Sequence, residues 1–489
     1  MTTTGEQRML IDGALVEASS GKRFDSVNPA TEEVLGAVAD SDASDMDRAI
    51  ESSRKAFDTT DWSTNRKLRR RCLEQLHDAI DAEREEFRAE LVAEVGTPVA
   101  LTYGPQLDAP LEDGLLWPAR TIDEYPWERE LGTATPFGVP SRLLVRKEAV
   151  GVVGAIIPWN FPFEITINKL GQALATGNTV VVKPAPDTPF DATRFGRLIA
   201  EKTDIPAGVV NIVTSSDHLV GEALVLDPRV DLISFTGSTV TGRRIMEKGA
   251  ATMKRLFLEL GGKSAMIVLD DADLEAALPS AAMGCMHSGQ GCALLTRILV
   301  PRSRYDEAVD ILTDVMKNLP CGDPNDPATV AGPLISAKQR DRVLGYIERG
   351  IAEGARVVVG GGRPSHLPKG FFVEPTLFAD VENSMTIAQE EIFGPVLVLI
   401  PHDGDDDAVR IANESVYGLG GGVHSGSEER ALAVVHRLRA GSIGINGGIP
   451  YSAGLPFGGY KASGVGRQNG LEGFEQYLET KSIAVLASH

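Results

Sequence analysis

The stretch that decides the fold is GVVGAIIPWNFPFEITINKLGQALATGNTVVVK, residues 151–183. Two short apolar runs, 151–157 and 179–183, flank a segment of helical length. Apolar runs without charged residues are typical of strands buried on both faces of a parallel sheet, and right-handed helical crossovers join such strands. The stretch therefore predicts a strand–helix–strand unit of a doubly wound sheet, an architecture that binds nucleotides.

The same alternation continues along the chain. Because 489 residues exceed what one compact core accommodates, we predict two doubly wound, Rossmann-like α/β domains. Further strands are predicted at 209–214, 230–235, 264–269, 297–301, 355–359, 395–401 and 442–446. Helices are predicted near 42–57, 64–95, 163–176, 188–203, 217–225, 303–319, 334–353, 405–415 and 427–439.

The domain boundaries follow from where the alternation starts, stops and resumes. Residues 1–128 and 150–258 are predicted to form the nucleotide-binding domain, and residues 259–468 the second domain. The segment 129–149 fits a projecting hairpin that turns at Phe137–Pro140. Together with residues 469–489 it is predicted to be a bridging element that contacts other subunits.

Composition excludes several classes of function. The net charge of −20 argues against general affinity for nucleic acid or for anionic membranes. The chain has no run of about 18 uncharged apolar residues and no signal peptide at its start, so no membrane association is expected. Four cysteines without disulfide or metal-ligand spacing fit a reducing cytoplasm and predict no metal site.

Cys292 and Glu259 are the candidate reactive pair. Cys292 stands among small residues in SGQGCA (288–293), and Glu259 stands between leucines in LELGGKS (258–264). Gly289 and Gly291 favour approach of a substrate to the sulfur, and an apolar setting favours a carboxylate with a raised pKa that acts as a base. The alternatives are an inert buried cysteine, with Cys285 as the reactive one, and an ordinary surface carboxylate.

Asn160 and Lys183 each follow a predicted strand, where ligands of doubly wound sheets collect. The Asn160 amide could donate a hydrogen bond to an oxyanion, or it could cap the next helix. Lys183 could contact a ribose hydroxyl or a phosphate, or it could be a solvated lysine before a Pro-rich turn.

Two further turns follow the same logic. Gly237 and Ser238 begin a predicted helix whose free N–H groups suit a pyrophosphate, or they form a tight turn and an N-cap. Glu391 could hold ribose hydroxyls and Phe393 could pack on a planar ring, or both could belong to a charged turn before the strand 395–401.

Taken together, these motifs resemble the NAD(P)-dependent aldehyde dehydrogenase superfamily, in its non-phosphorylating, hydrolytic branch. The resemblance begins at NPAT (28–31), includes PWNFP (158–162) and EEIFGPV (390–396), and ends at PFGGYKASG (456–464). It implies an NAD(P)-binding domain, a catalytic domain and a bridging oligomerisation element, assembled into a homodimer or homotetramer.

The resemblance also implies catalytic roles. Cys292 would add to the aldehyde to form a thiohemiacetal, and Asn160 would stabilise the oxyanion. Hydride transfer would leave a thioester, and Glu259 would activate water to release the carboxylic acid. Lys169 would assist proton movement near Glu259.

Binding roles transfer by the same resemblance. The predicted cofactor residues are Ile156, Pro158, Trp159, Lys183, Gly237, Ser238, Glu391 and Phe393. The predicted substrate-tunnel residues are Phe161, Ile165, Asn168, Met286, Tyr451 and Phe457. Most of the tunnel residues are apolar, which suits a hydrophobic aliphatic or aromatic aldehyde.

Several positions depart from the family pattern. Pro186 stands where many NAD-preferring relatives carry glutamate, and Asp187 beside it could restore the charge, so NAD is predicted and NADP remains possible. Asn168 replaces a residue that is often aromatic, or arginine in some semialdehyde enzymes, and Gln172 replaces a frequent proline. The triplet 420–422 is all glycine, where relatives more often have alanine, and this could add flexibility.

Two other functions remain open. In a CoA-acylating enzyme of the same family, CoA rather than water would take the acyl group, and that branch typically lacks a glutamate at the position of Glu259. A catalytically silent scaffold would keep the fold without turnover.

Overall fold

Two large mixed β-sheets, each covered by helices on both faces, form the centre of the protein. The computed structural model describes residues 5–487. Residues 1–4 and 488–489, which belong to the predicted segments 1–128 and 469–489, lie outside the described residues. Hydrophobic clusters pack on the two faces of each sheet and form its core.

The first sheet has eight strands, and its five central strands run parallel. The four strands predicted in this region are present. The sheet is not parallel throughout, however, because three antiparallel strands complete its edges. In spatial order the strands are Gly464–Val465, Arg255–Glu259, Leu232–Thr236, Val152–Ile156, Thr179–Lys183, Val210–Ile212, Met9–Ile11 and Ala14–Val16.

The order of strands reverses between Val152–Ile156 and Leu232–Thr236, which are neighbours in the sheet although their first residues are 80 positions apart in sequence. Loops leaving two such strands diverge to opposite faces and open a crevice at their carboxyl ends. The candidate residues Asn160 and Gly237 both follow these ends. The topology therefore places them at one edge of the sheet.

The helices of the first half match the predicted ones except at 64–95. That segment contains two helices interrupted at Glu83, which leaves helical geometry and binds Arg194 at 2.7 Å. A π-helical turn, Leu91–Val95, follows. The helices are Ala43–Thr59, Arg66–Ala82, Arg84–Glu90, Val99–Thr102, Asp108–Asp113, Leu116–Glu124, Pro162–Ala175, Pro189–Lys202, His218–Leu226 and Thr239–Gly249.

The second sheet has seven strands, six of them parallel. Two strands were not predicted, Thr376–Ala379 and Gly420–His424. The glycines at 420–422 have low strand propensity, yet they are hydrogen-bonded between two neighbouring strands, so the triplet is not a flexible loop. In spatial order the strands are Arg356–Val359, Thr376–Ala379, Val396–His402, Leu295–Pro301, Ser264–Val268, Gly420–His424 and Ser442–Ile445.

Helices cover both faces of this sheet as well, and the predicted ones are present with shorter bounds. They are Leu274–Ala277, Tyr305–Lys317, Ala337–Ala352, Thr386–Gln389, Asp405–Asn413 and Glu428–Val435. The last helix, Gly470–Gln476, packs instead on the helix Pro162–Ala175 of the first half. A long 3₁₀ segment, Leu278–Gly289, precedes Cys292, and shorter 3₁₀ turns occur at Pro136–Gly138, Ala250–Thr252, Arg302–Arg304 and Lys461–Ser463.

The predicted hairpin is present as part of a separate three-stranded antiparallel sheet. Glu128–Ala134 and Ser141–Ala149 form the hairpin, and Leu478–Leu486 pairs along its second strand. Every residue of Glu128–Ala134 is exposed. A small sheet of Arg23–Val27 and Val34–Ala39 lies near the N-terminus. Within residues 5–487, no helix is long and apolar enough to cross a membrane.

Candidate active site

Cys292 lies in the loop between the segment Leu278–Gly289 and the strand Leu295–Pro301. It is partly buried and its thiol is free. Burial and the neighbouring carboxyl of Glu259 raise the pKa of the thiol well above its ordinary value. The thiol is therefore protonated at neutral pH in this conformation, and formation of the nucleophilic thiolate requires a base.

Cys285 is a different kind of cysteine. It is completely buried among the apolar side chains on one face of the second sheet, and that burial raises the pKa of its thiol far above the ordinary value. Such a thiol is inert, and Cys292 is the more accessible of the two.

The glycines before Cys292 serve packing rather than access to the sulfur. Gly289 adopts a positive φ of 70°, and a Cβ there would lie 2.0 Å from the carbonyl oxygen of Gly394. A Cβ on Gly291 would meet Leu294 at 2.8 Å. These glycines therefore let the cysteine loop pack closely. Gly289 packs against the 391–394 segment, and Gly291 packs against Leu294.

Glu259 is the last residue of the strand Arg255–Glu259 and is only 3% exposed, so it is not a surface carboxylate. Burial raises its pKa to about 8, while a hydrogen bond with the Cys292 thiol and the charge of Lys169 act in the opposite direction. Its Oε1 is buried and accepts no hydrogen bond from the described residues. A carboxyl in this setting changes protonation state just above neutral pH and keeps an acceptor for a proton.

Asn160 is held at three points. Its Nδ2 donates to the backbone carbonyl of Gln290 at 2.9 Å, two residues before the candidate nucleophile. Its own backbone carbonyl accepts from Gln106 Nε2 at 3.0 Å and lies 3.1 Å from His287 Nε2. The next helix begins after Phe161 without a side-chain cap, so Asn160 is not a capping residue. One amide N–H is thus anchored and the second is available to an oxyanion.

Lys169 is buried on the helix that follows Asn160. Its Nζ donates to Ser234 Oγ at 2.9 Å and lies 4.7 Å from the ring centroid of Phe257. Burial lowers the pKa of Lys169 to about 7, although the charges of Glu259 and Glu164 act to raise it. This lysine therefore sits between two carboxyls and can gain or lose a proton near neutral pH.

A cleft of about 410 Å³ opens beside the carboxyl ends of the first-sheet strands. Lys183 lies in it, 5% exposed, and donates to the carbonyl of Ser215 at 3.1 Å, so it is not a solvated lysine. Burial lowers the pKa of Lys183 to about 8. The walls are formed by Ile156, Lys183, Gly221, Val225, Phe235 and Ile245, and the rim by His218, Lys248, Thr241 and the ion pair of Arg244 with Glu222.

Ser238 is exposed and caps the helix Thr239–Gly249, its Oγ accepting from Thr241 N at 3.2 Å. The capping alternative is therefore confirmed for its side chain. A Cβ on Gly237 would meet the ring of Phe235 at 2.5 Å, so only glycine fits this close approach. The helix start still presents backbone N–H groups at the carboxyl edge of the sheet, as a pyrophosphate site requires.

Trp159 and Phe393 form an edge-to-face pair with ring centroids 5.3 Å apart. Phe393 adopts a positive φ of 58°, which turns the chain sharply after Glu391. Glu391 Oε1 accepts from Gly262 N at 2.9 Å, and a Cβ on Gly261 would lie 2.3 Å from its other oxygen. The turn after Glu259 thus consists of glycines because it receives the Glu391 carboxylate.

The predicted tunnel residues come from one helix face and from a facing loop. Phe161, Ile165 and Asn168 recur at helical spacing, and Tyr451 packs on Phe457 with centroids 5.8 Å apart. Met286 is partly buried where the 3₁₀ segment loses helical geometry, and Pro158 is partly buried after its strand.

Glu164 occupies the same helix face and was not among the predicted site residues. Its Oε1 accepts hydrogen bonds from Asn168 Nδ2, from the Tyr451 hydroxyl, and from Gln468 Nε2 at 3.3 Å. Asn168 Nδ2 also donates to the Tyr451 hydroxyl at 2.8 Å. The surroundings of the predicted tunnel residues are therefore not apolar throughout, because a buried carboxyl and its donors lie between the apolar residues.

The residues that the sequence prediction missed differ in whether a local pattern indicates them. Glu164 completes the spacing i, i+3, i+4, i+7 with Phe161, Ile165 and Asn168, and this pattern was readable. Gln106 lies 54 residues before Asn160, and no local pattern indicates it. The part of the chain that the structure covers has no cluster of three or more His, Cys, Asp or Glu side chains able to hold a metal ion.

Comparison with known proteins identifies this arrangement. The sequence profile described as Aldehyde dehydrogenase family matches residues 15–483. The chain belongs to the aldehyde dehydrogenase family. Among its relatives, geranial dehydrogenase of Castellaniella defragrans is 43% identical over 486 residues, covering 99% of this chain and 100% of that protein. The 3-succinoylsemialdehyde-pyridine dehydrogenase of Pseudomonas sp. is 41% identical, covering 97% of each chain.

Solved aldehyde dehydrogenase structures share the fold. The Mycobacterium tuberculosis aldehyde dehydrogenase complexed with NAD⁺ is 42% identical, with a TM-score of 0.94 over 99% of this chain and 98% of that one. A cysteine-to-alanine mutant of P. syringae indole-3-acetaldehyde dehydrogenase, in complex with NAD⁺ and IAA, is 38% identical, with a TM-score of 0.94 over 99% and 97%. The predicted family, α/β fold class and enzyme class are therefore confirmed.

Proposed function

We propose that this protein oxidises an aldehyde to a carboxylic acid with NAD⁺, through a covalent intermediate on Cys292. The observation that carries the proposal is the convergence of three groups at one point. The Cys292 thiol, the raised-pKa carboxyl of Glu259 and the anchored amide of Asn160 come from three separate segments of the chain. Covalent acyl chemistry needs a nucleophile, a base and an oxyanion donor in this relation.

The residues around the cleft fit a dinucleotide. Apolar walls suit an adenine ring, the buried Lys183 ammonium suits ribose hydroxyls, and the start of helix Thr239–Gly249 suits a pyrophosphate. Glu391 and Phe393 are proposed to hold the nicotinamide ribose and ring. The charge of Asp187, which acts on Lys183, favours NAD over a cofactor with a 2′-phosphate. NADP remains the alternative because Lys248 lies at the rim of the cleft, where Arg244 is already paired with Glu222.

In the proposed reaction, the thiol proton of Cys292 passes to solvent and the thiolate sulfur attacks the aldehyde carbon. The carbonyl electrons move to oxygen, where the free N–H of Asn160 donates to the oxyanion. Bound NAD⁺ supplies an acceptor for the hydride. After hydride loss the carbon is held as a thioester, and Glu259 removes a proton from water as it attacks. Cleavage of the C–S bond returns the thiol and releases the acid.

Lys169 is proposed to relay protons away from Glu259. It lies between Glu259 and Glu164, and its lowered pKa allows it to exchange protons near neutral pH.

The three-stranded sheet is proposed to join subunits into a homodimer or homotetramer, because its outer strand Glu128–Ala134 is exposed along its whole length. We also propose a cytoplasmic location, in keeping with the free cysteines.

The test is absorbance at 340 nm with a panel of aldehydes, each run with NAD⁺ and with NADP⁺, and identification of the product by mass spectrometry. We expect NADH and the carboxylic acid in equal amounts, and no acyl-CoA when CoA is added. An acyl-CoA product would assign the chain to the CoA-acylating type. Absence of NADH with every aldehyde, despite measurable NAD⁺ binding, would identify a silent scaffold. Size-exclusion chromatography with light scattering would test the assembly.

A further inference from the structure

Glu164 is a buried acid beside the predicted tunnel residues, and the proposed reaction does not use it for chemistry. It shares a helix face with three predicted tunnel residues and lies opposite the loop that carries Tyr451. Its charge helps to raise the pKa of both the Cys292 thiol and Glu259, so it lies near the reacting groups. A carboxyl in such a place needs compensation for lost hydration, because burial of an unpaired charge is costly.

The two oxygens of this carboxyl have different surroundings. Oε1 accepts all three hydrogen bonds, from Asn168, Tyr451 and Gln468. Oε2 accepts none from the residues that the structure describes, and it is not among their fully enclosed unpaired oxygens. The residue as a whole is only 8% exposed, so the accessible surface of Oε2 is small. One oxygen thus fixes the carboxyl and the other remains an open acceptor.

The neighbourhood of Glu164 defines which donor would complete this site. Lys169, on the next turn of the same helix, already opposes the negative charge, and three neutral donors hold Oε1. Phe161 and Ile165 are the apolar members of the same helix face. A neutral donor on an otherwise apolar molecule matches this combination better than a second cation does.

We propose that Glu164 Oε2 binds a hydroxyl group on the distal part of the aldehyde, so that the enzyme prefers hydroxylated aldehydes over hydrocarbon analogues of the same shape. This inference rests on the proposed function, since it names the substrate class of that same site. Burial raises the pKa of Glu164 to about 7, so the substrate pairs are compared at pH 8.5, where the carboxylate form dominates. A hydrogen bond to this charged partner, together with the cost of leaving it unpaired, gives an expected preference of about tenfold to hundredfold in kcat/KM.

The experiment compares substrate pairs that differ by one group. The first pair is 4-(hydroxymethyl)benzaldehyde and 4-ethylbenzaldehyde, in which the first compound has a hydroxyl where the second has a methyl and the carbonyl group changes little. The corresponding 3-substituted pair changes the position of the hydroxyl relative to the carbonyl. Wild type is expected to favour the hydroxyl compound of at least one pair. Glu164→Leu should bring that ratio close to one. Ile165→Val, a change on the same helix face that removes no acceptor, should alter kcat/KM for both members of a pair alike.

Glu164→Gln provides an arm that keeps the shape of the side chain. Its amide oxygen can still accept from Asn168 and Tyr451, while its NH₂ replaces Oε2 and offers donors instead of an acceptor. The compound 4-acetylbenzaldehyde carries an acceptor but no donor on its distal group. In this variant, the ratio of its kcat/KM to that of 4-isopropylbenzaldehyde should therefore be about tenfold higher than in wild type.

The outcomes separate the two proposals. If wild type oxidises both members of every pair with equal kcat/KM, the inference is overturned and the proposed oxidation stands. If wild type oxidises no aldehyde, the proposed function itself fails. If Glu164→Leu does not fold, Glu164→Gln decides, and an unchanged acetyl-to-isopropyl ratio in that variant overturns the inference.

Discussion

The titration of Glu259 gives the sharpest test of the proposed mechanism. Burial raises its pKa to about 8, so the carboxyl is mostly protonated at neutral pH. A general base must be ionised before it can take a proton from water. Hydrolysis of the thioester should therefore accelerate as the pH rises through 8 and level off above it.

The size of the effect follows from that pKa. A group with a pKa near 8 is ionised in about a tenth of the molecules at pH 7 and in about nine tenths at pH 9. The rate constant of hydrolysis should rise about tenfold over this interval. Glu259→Gln keeps the shape but cannot accept a proton, and general bases contribute about 10²- to 10⁴-fold. The variant should hydrolyse the thioester at least about a hundredfold more slowly, without an inflection near pH 8.

The assay is stopped-flow absorbance at 340 nm from pH 6.5 to 9.5. Glu259→Gln should give a burst of about one NADH per active site and then a slow steady rate. Glu275→Gln, a change at an exposed glutamate of the second half, should behave as wild type. A normal steady rate in Glu259→Gln, or the same inflection, would remove Glu259 from the hydrolytic step. Loss of the burst with NAD⁺ binding intact would instead assign it to activation of Cys292.

Three further predictions concern the other site residues. Cys292→Ala should abolish turnover while calorimetry still detects NAD⁺ binding. Cys285→Ala should keep kcat/KM within about twofold, because its thiol lies in the core. An inactive Cys285→Ala variant that folds normally would reverse the choice of cysteine. Asn160→Ala should lower kcat by about 10²- to 10³-fold with little change in NAD⁺ affinity, and a loss below tenfold would exclude an oxyanion role. Asp187→Asn removes a negative charge that acts on Lys183, so the ratio of kcat/KM with NADP to kcat/KM with NAD should rise by about tenfold. An unchanged ratio would show that Asp187 does not discriminate between the two cofactors.

Charge and apolar patterning along the chain were sufficient to predict the two sheets. Runs such as 151–157 and 180–182 are apolar throughout, and a strand buried on both faces imposes that pattern locally. The strand Gly420–His424 was missed for the converse reason. Its glycines carry no strand signal, and the neighbouring strands on both sides hold it in place. A Cβ at Gly422 would lie 2.7 Å from a methyl group of Leu295, so a side chain there requires Leu295 to shift, and no local pattern reveals this contact.

The candidate site divides in the same way. The sequence by itself identified the family and named Cys292, Glu259 and Asn160, because each stands in a short motif that can be read without neighbours. The tertiary structure decided how those groups are held and tuned. Gln106 reaches Asn160 across 54 residues, and Glu164 gains its donors from loops near the C-terminus, nearly 300 residues away. Protonation near neutral pH and an open acceptor in the tunnel depend on burial and on distant partners, which exist only once the chain has folded.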